Sequence, residues 1–164
     1  MKLRALELKD APLMLEWMHD DSVTKHLAAD FNAKQLSDCE KFIEMSKDTS
    51  SNLHLAITDD NDTYMGTVSL KNIHDSIAEF AITVRSVAMG NGYSIWGMTE
   101  IIKKGFNEMN LDAVYWCVSK QNARAVRFYD KNGYERTTDV PDSIKDCYTE
   151  EQQADFYWYK VVAI

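Results

Sequence analysis

Ala88-Met89-Gly90-Asn91-Gly92-Tyr93-Ser94 joins two unlike stretches of this chain. Before it, Ile77 to Val84 is an apolar, strand-like run; after it, a helix-like run continues to Met109. Two glycines at such a junction let backbone N–H groups approach a ligand without side-chain obstruction. The helix start adds N–H groups that have no intrahelical acceptor, together with the positive end of the helix dipole. Strand, glycine loop and helix start together suit a phosphate-bearing ligand. An ordinary Gly-Asn-Gly turn fits the same residues. Two common phosphate loops are excluded. Gly92 is followed by Tyr93 and Ser94 rather than by Lys-Ser/Thr, and Ile95 stands where the dinucleotide fingerprint needs its third glycine.

Working outward, Ala113 to Ser119 (Ala-Val-Tyr-Trp-Cys-Val-Ser) is aromatic and β-branched and predicts a buried strand. The following Asn122-Ala-Arg-Ala-Val-Arg-Phe-Tyr-Asp-Lys-Asn-Gly133-Tyr134 predicts a short helix. Asn122 is a good N-cap and Gly133 a good residue just past the C-terminus. Ala125, Val126, Phe128 and Tyr129 form its apolar face.

With these segments in place, the chain resembles the GNAT-type acetyl-CoA-dependent N-acetyltransferases. It is most similar to the branch of ribosomal-protein-alanine and diamine acetyltransferases. The resemblance runs from Leu3-Arg4-Ala5-Leu6 to about Arg136. Its densest parts are Ala78-Glu79-Phe80-Ala81-Ile82, Met89 to Ser94, and Asn122 to Tyr134. The last matches the family's Asn-x-x-Ala-x-x-x-Tyr-x-x-x-Gly-Tyr/Phe pattern at each fixed position. In the loop pattern Gln/Arg-x-x-Gly-x-Gly/Ala, Met89 replaces Gln/Arg, Gly92 is kept, and Ser94 replaces Gly/Ala. Ser94 adds a hydroxyl donor.

The resemblance implies a single mixed α/β domain over residues 1–164, with a mostly antiparallel sheet that splays between strands 77–84 and 113–119. Acetyl-CoA is expected in that opening as cosubstrate, with no metal. Its pantetheine would run along Ile82, Thr83, Val84 and Arg85, and its pyrophosphate would lie on the backbone of Met89, Gly90, Asn91, Gly92, Tyr93 and Ser94. Asn122 would cap its helix and face the same opening. Arg124, Arg127 and Lys131 recur along one side of the helix; a solvated face and a positive rim near the coenzyme A phosphates both fit.

The chemistry needs a neutral amine to attack the thioester carbonyl, yet alkylamines are mostly protonated at neutral pH, with a pKa near about 10. A carboxylate or an ordered water must take the proton. The oxyanion needs an N–H donor, which a strand-edge amide can supply. The departing thiolate benefits from a nearby acid. Glu79, the one carboxylate inside Ile77–Val84, is the candidate base, against the alternative of a solvent-facing residue on an alternating strand. Tyr129, at the family's tyrosine position beside the sulfur, is the candidate acid; on pattern alone it is a core aromatic.

Composition agrees with one globular domain: 164 residues, 45% hydrophobic and 27% charged, values that exclude a disordered chain. No apolar run approaches the roughly 20 residues of a membrane span, and Met1 to Glu7 has no signal-peptide core. Three scattered cysteines, Cys39, Cys117 and Cys147, lack metal-ligand spacing and predict reduced thiols in a cytoplasm. The histidines show no metal spacing either; His54 is placed in a strand, and His19, His26 and His74 on the surface. A net charge of −8 argues against nucleic acid and anionic membrane as partners. The partner expected instead is a small-molecule or peptide amine, and a homodimer is compatible with the resemblance.

The remaining elements follow from pattern. Leu3–Leu8 predicts a strand. Asp10, with Pro12 in the first turn, starts a helix through Trp17-Met18. Asn32 and Gln35 predict a capping box before Leu36, Cys39, Phe42 and Ile43. Leu53–Ile57 and Tyr64–Leu70 predict a hairpin around Asp59–Asp62, whose acids lack the glycine and glutamate of a calcium loop. A turn is expected over Asn72–Ser76. The helix from Tyr93 is expected to bury Ile95, Met98, Ile102, Phe106 and Met109. Tyr134–Thr137 and Phe156–Val162 predict the last strands, the aromatic tail being core or a border of the acceptor pocket.

Two function classes remain at this level: an acetyltransferase acting on a primary amine (peptide N-terminus, polyamine or amino sugar), and a non-catalytic acyl-CoA-binding or sensor protein. Retention of Glu79 and Tyr129 favours the enzyme. Thr138 to Ala154 carries Asp139, Asp142, Asp146, Glu150 and Glu151 against Lys145. By resemblance this segment and His19-Asp20-Asp21 border the acceptor site, which predicts a cationic acceptor unless the acids are simply solvated.

Overall fold

The structure is a computed structural model and describes residues 1–164. Seven strands share one sheet: β1 Lys2–Ala5, β2 Leu53–Thr58, β3 Tyr64–His74, β4 Ile77–Val84, β5 Ala113–Ser119, β6 Glu135–Arg136 and β7 Phe156–Val162. Their spatial order is β1-β2-β3-β4-β5-β7-β6. Only β4 and β5 pair in parallel, and only from Ile77↔Ala113 to Glu79↔Tyr115. Beyond Glu79 the two strands part, so the expected splay is present.

Seven helices accompany the sheet: α1 Ala11–Met18, α2 Asp21–Thr24, α3 Leu36–Met45, α4 Tyr93–Glu108, α5 Ala123–Lys131, α6 Asp142–Lys145 and α7 Glu150–Asp155. Strand alternation assigns β4 residues Ala78, Phe80, Ile82 and Val84 to one face and Glu79, Ala81 and Thr83 to the other. The first face packs with Ile57, Val68, Leu70 and Trp116 against Met98 and Ile101 of α4 and Tyr129 of α5. The second lies under α1 and α3, where Met14, Trp17, Cys39 and Ile43 pack on Ala56 and Tyr64. A smaller core joins Tyr115 and Trp158 to Val140 and Ile144.

Several expected boundaries shift for physical reasons. β1 stops at Ala5 because Leu8–Asp10 tightens into a 3-10 turn. Asp10 does not cap α1 with its side chain; it is 2% exposed and takes a two-pronged contact from the Arg4 guanidinium, both N···O distances being 2.8 Å. The capping box before α3 uses Gln35 and Asp38 rather than Asn32, which falls in a separate 3-10 turn, Phe31–Ala33. α4 buries Gly97, Met98, Ile101, Ile102 and Gly105. The two glycines let the helix lie close to the sheet: a Cβ at Gly97 would stand 2.5 Å from Ile57 Cδ1, and one at Gly105 3.0 Å from Leu70 Cδ1. Phe106 and Met109 are therefore only half-buried.

β3 runs on to His74, and the turn tightens to Asp75-Ser76, both with positive φ. The Asp59–Asp62 turn is held by Asp59, whose carboxylate accepts the N–H groups of Asn61 and Thr63 at 2.9 and 2.8 Å. Tyr134–Thr137 yields only a two-residue strand, since β7 lies between it and β5. The short α2, α6 and α7 carry no apolar periodicity long enough to announce them. The cysteines are unpaired, and no helix is long and apolar enough to cross a membrane.

Candidate active site

The gap between β4 and β5 opens into a cavity of ≈ 490 Å³. Its backbone groups follow from the sheet register. Arg85 N–H donates to Met65 C=O at 2.8 Å, and the Thr83 carbonyl faces Gly66 of β3. In an antiparallel ladder this leaves the N–H and C=O of Ile82 and Val84 aimed away from β3, into the gap. An extended, amide-bearing ligand can pair with that bare edge as an added strand would.

At the end of β4 the chain makes a 3-10 turn, Ser86–Ala88, and enters α4 through Gly90 and Gly92, with φ of 77° and 85°. These left-handed values are cheap only for glycine. Gly92 is the N-cap and offers no side-chain cap, so the N–H groups of Gly92, Tyr93, Ser94 and Ile95 find no backbone acceptor. Gly92, Ser94 and Ile95 line the cavity. No protein atom lies within 4 Å of where a Cβ on Gly90 would stand. Lys25, His26 and Arg124 also line this cavity, and no Asp or Glu does. Free amides at a helix N-terminus with cations and no carboxylate fit a pyrophosphate.

α5 forms the opposite wall. Asn122 Oδ1 accepts Ala125 N–H at 3.2 Å, and Gly133 closes the helix at φ 78°. Tyr129 is thereby set against Trp116 and Tyr159, with ring centroids 5.4 and 5.1 Å away. Its side chain is nearly buried but reaches the cavity. Burial raises its pKa well above the ordinary phenol value, so it stays protonated.

Of the residues expected to hold the cosubstrate, Ile82, Thr83, Val84, Met89, Gly92, Ser94, Asn122 and Tyr129 meet around this cavity. Gly90, Asn91 and Tyr93 belong to the same turn but do not line it. Arg85 is turned away, held by Glu16 at 2.9 and 3.0 Å. Arg127 is exposed outside the lining; Arg124, one turn earlier, takes the place beside Met89, 3.0 Å from its sulfur. Lys25 and His26 were missed because only tertiary packing brings the segment after α1 to this wall.

A second cavity, ≈ 450 Å³, lies on the other face of β4, between the sheet and α1 and α3. Met14, Trp17, Phe31 and Phe42 make its apolar side; His54, Thr67, Ser69, Lys71 and Thr83 make its polar side. Both cavities are lined by Ile82 and Thr83. His54 Nδ1 lies 2.6 Å from Ser69 Oγ. Burial, helped by the Lys71 charge, lowers the His54 pKa to about 4, so it is neutral at physiological pH.

Glu79 is not the solvent-facing residue of an alternating strand: it is 2% exposed and lines neither cavity. Tyr148 O–H donates a short bond to its Oε1, Asn72 Nδ2 donates to Oε2 at 3.1 Å, and Lys71 Nζ is 3.7 Å from Oε1. Burial and the nearby charges raise the Tyr148 pKa, and burial pushes the Cys117 thiol up to about 12.

The acidic stretch expected to border the acceptor lies away from both cavities. Asp139, Asp142, Asp146, Glu150 and Glu151 are exposed and line neither cavity. The segment instead folds into α6 and α7 and packs Ile144 and Tyr148 on β5 and β7. Asp20 caps α2, accepting Ser22 N–H at 3.0 Å, and the residues after it face the first cavity. In the tail, Trp158 and Tyr159 are core, and no residue from Phe156 to Tyr159 borders either cavity.

A splayed sheet, a bare strand edge and a glycine-opened helix start define a protein that binds an acyl-coenzyme A. The GNAT acetyltransferase domain model matches residues 1–135, and the chain belongs to that family. It is an acetyl-CoA-dependent N-acetyltransferase acting on an amine. Among solved structures it is similar to spermidine N-acetyltransferase from Vibrio cholerae in complex with CoA and spermine. The two share 18% identity and a TM-score of 0.80, over 98% of this chain and 94% of that one. A dodecameric form of the Vibrio cholerae enzyme in an intermediate state aligns at 18% identity and TM-score 0.72, covering 98% and 92%. A search of the curated proteins finds no match in sequence.

Proposed function

We propose that the first cavity holds acetyl-CoA, the second holds the amine, and transfer takes place across Ile82 and Thr83 of β4. The observation that carries this reading is that these two residues alone line both cavities. The bare edge at Ile82 and Val84 orients the pantetheine, and the amides of Gly92 to Ile95 with Arg124 hold the pyrophosphate. Tyr129 keeps its proton and presents it to the sulfur as the thiolate departs. A phenol held above its ordinary pKa acts here chiefly as a hydrogen-bond donor, because full transfer to a thiolate of pKa about 8.5 is uphill.

Glu79 receives the amine proton through water rather than by contact, since it faces the acceptor side of β4 yet lines neither cavity. Its bonds to Tyr148 and Asn72 favour a second reading, in which Glu79 fastens residues 142–149 to the sheet. Glu79→Gln separates the two. As the base, the variant loses turnover and its pH–rate profile moves to higher pH while its melting temperature holds. As a fastener, it loses melting temperature and keeps the profile.

Calorimetry with acetyl-CoA, followed by thiol release over a panel of primary amines, tests the assignment as a whole. Binding without turnover on any amine of the panel would sink the pairing of the two cavities across β4. We read residues 1–164 as one acetyltransferase domain, place it in the cytoplasm on its three unpaired thiols, and expect it to assemble as at least a homodimer, which light scattering checks.

A further inference from the structure

The second cavity is unusual for so acidic a chain. Lys34, Lys41 and Lys71 line it against a single carboxylate, Asp38. Asp38 is already engaged, accepting the Gln35 N–H at 2.8 Å as part of the α3 capping box. Lys71 is set against the buried Glu79. Lys34 and Lys41 have no carboxylate within 4.0 Å, although the chain carries 26 acidic residues. His54 adds no charge at neutral pH. The lining therefore keeps an excess of positive charge even after Lys71 is paired with Glu79. Two free ammonium groups that converge on one cavity repel a cation and draw an anion, and the effect grows where the walls are apolar, as at Trp17 and Phe42.

Resting on the reading of this cavity as the acceptor's, we propose that the acceptor is a small primary amine that also carries a carboxylate or phosphate, held by Lys34 and Lys41 while the amine reaches Thr83. A polyamine would bring two or more further positive charges to the same lysines. The apolar wall of Met14, Trp17 and Phe42 takes the acceptor's carbon body.

The test is steady-state thiol release with acetyl-CoA and matched acceptors. L-phenylalanine is set against phenethylamine for a carboxylate, glucosamine 6-phosphate against glucosamine for a phosphate, and spermidine serves as the cation. The anionic member of at least one pair should exceed its partner in kcat/KM by about tenfold or more, with spermidine the poorest. The pair that responds tells carboxylate from phosphate. Lys34→Gln with Lys41→Gln, both exposed and so expected to fold, should remove that preference and leave the acetyl-CoA Kd from calorimetry in place. A wild-type preference for spermidine or for the partners that lack the anionic group overturns the proposal. In that event Lys34→Glu with Lys41→Glu locates the fault. If it lowers the KM for spermidine further, the cavity is the acceptor's and only the charge argument fails. If neither double variant moves any acceptor's KM, the placement of the acceptor fails as well.

Discussion

The two cavities share the middle of β4 but are built by different means. The first offers backbone on one side, a bare strand edge, two glycines with positive φ and a helix start within residues 82 to 95, and is closed by α5 and the segment after Asp20. The second is made by side chains from α1, α3 and β2 to β4, elements spread over residues 14 to 83. A backbone-built site reads a ligand's phosphates and amides and leaves its own side chains free to vary, as Met89 and Ser94 do. A side-chain-built site reads charge and shape, so its specificity changes with single residues.

Five substitutions break or sharpen that contrast. Gly92→Asp should have the largest effect. Its Cβ would meet only Met1 Cε, at 3.8 Å, and Asp is among the few residues that adopt the left-handed region, at a cost of about 1–2 kcal/mol, so the fold survives with a carboxylate at the helix start. Acetyl-CoA affinity should fall by about 100-fold or more, with an unchanged circular dichroism spectrum. Undiminished binding would remove the backbone site from the account. Tyr129→Phe should come next, lowering kcat by about 10²-fold, at the low end for proton donors, while acetyl-CoA Kd stays within about twofold. An unchanged kcat would make Tyr129 a core aromatic only.

Gly66→Ala tests the strand that both cavities depend on. Its Cβ would stand 2.5 Å from the Thr83 carbonyl oxygen and 2.9 Å from Val84 Cα, backbone that cannot yield without opening β3 from β4. A loss of about 2–3 kcal/mol is expected, with both KM values raised together. Gly97→Ala gains helix propensity but sets its Cβ 2.5 Å from Cδ1 and 3.1 Å from Cγ1 of the fully buried Ile57, a side chain rather than backbone, so its melting temperature should fall by less than that of Gly66→Ala.

The smallest effect is on pH dependence. His54 has a folded pKa of about 4 against 6.5 unfolded, so the unfolded chain binds the extra proton first. Its contribution is full above pH 6.5 and is lost as pH falls toward 4. The melting temperature should decline across that window, and His54→Gln should flatten the decline. A slope identical in the two proteins would assign the acid sensitivity elsewhere.

Local pattern was enough for β4, β5 and β7, whose limits coincide with their apolar runs. It was enough for α5, where Asn122 and Gly133 mark both ends, and for the glycine entry to α4, because strand periodicity, caps and positive φ are properties of neighbours in the chain. The family resemblance, rather than local pattern, pointed to Tyr129, which together with Gly92 lines the first cavity. Local pattern could not place Arg124 rather than Arg127 at the cavity, since one turn of helix separates them and only packing sets which side faces in. It could not tell whether Glu79 meets solvent, because its closest partner, Tyr148, lies 69 residues away. It could not place the acids of 139–151 relative to either cavity, because Ile144 and Tyr148 draw that segment onto β5 and β7. Sequence determined the backbone half of the site, which is local. Tertiary structure decided the charge around the second cavity, because a field at one point sums side chains that only folding brings together.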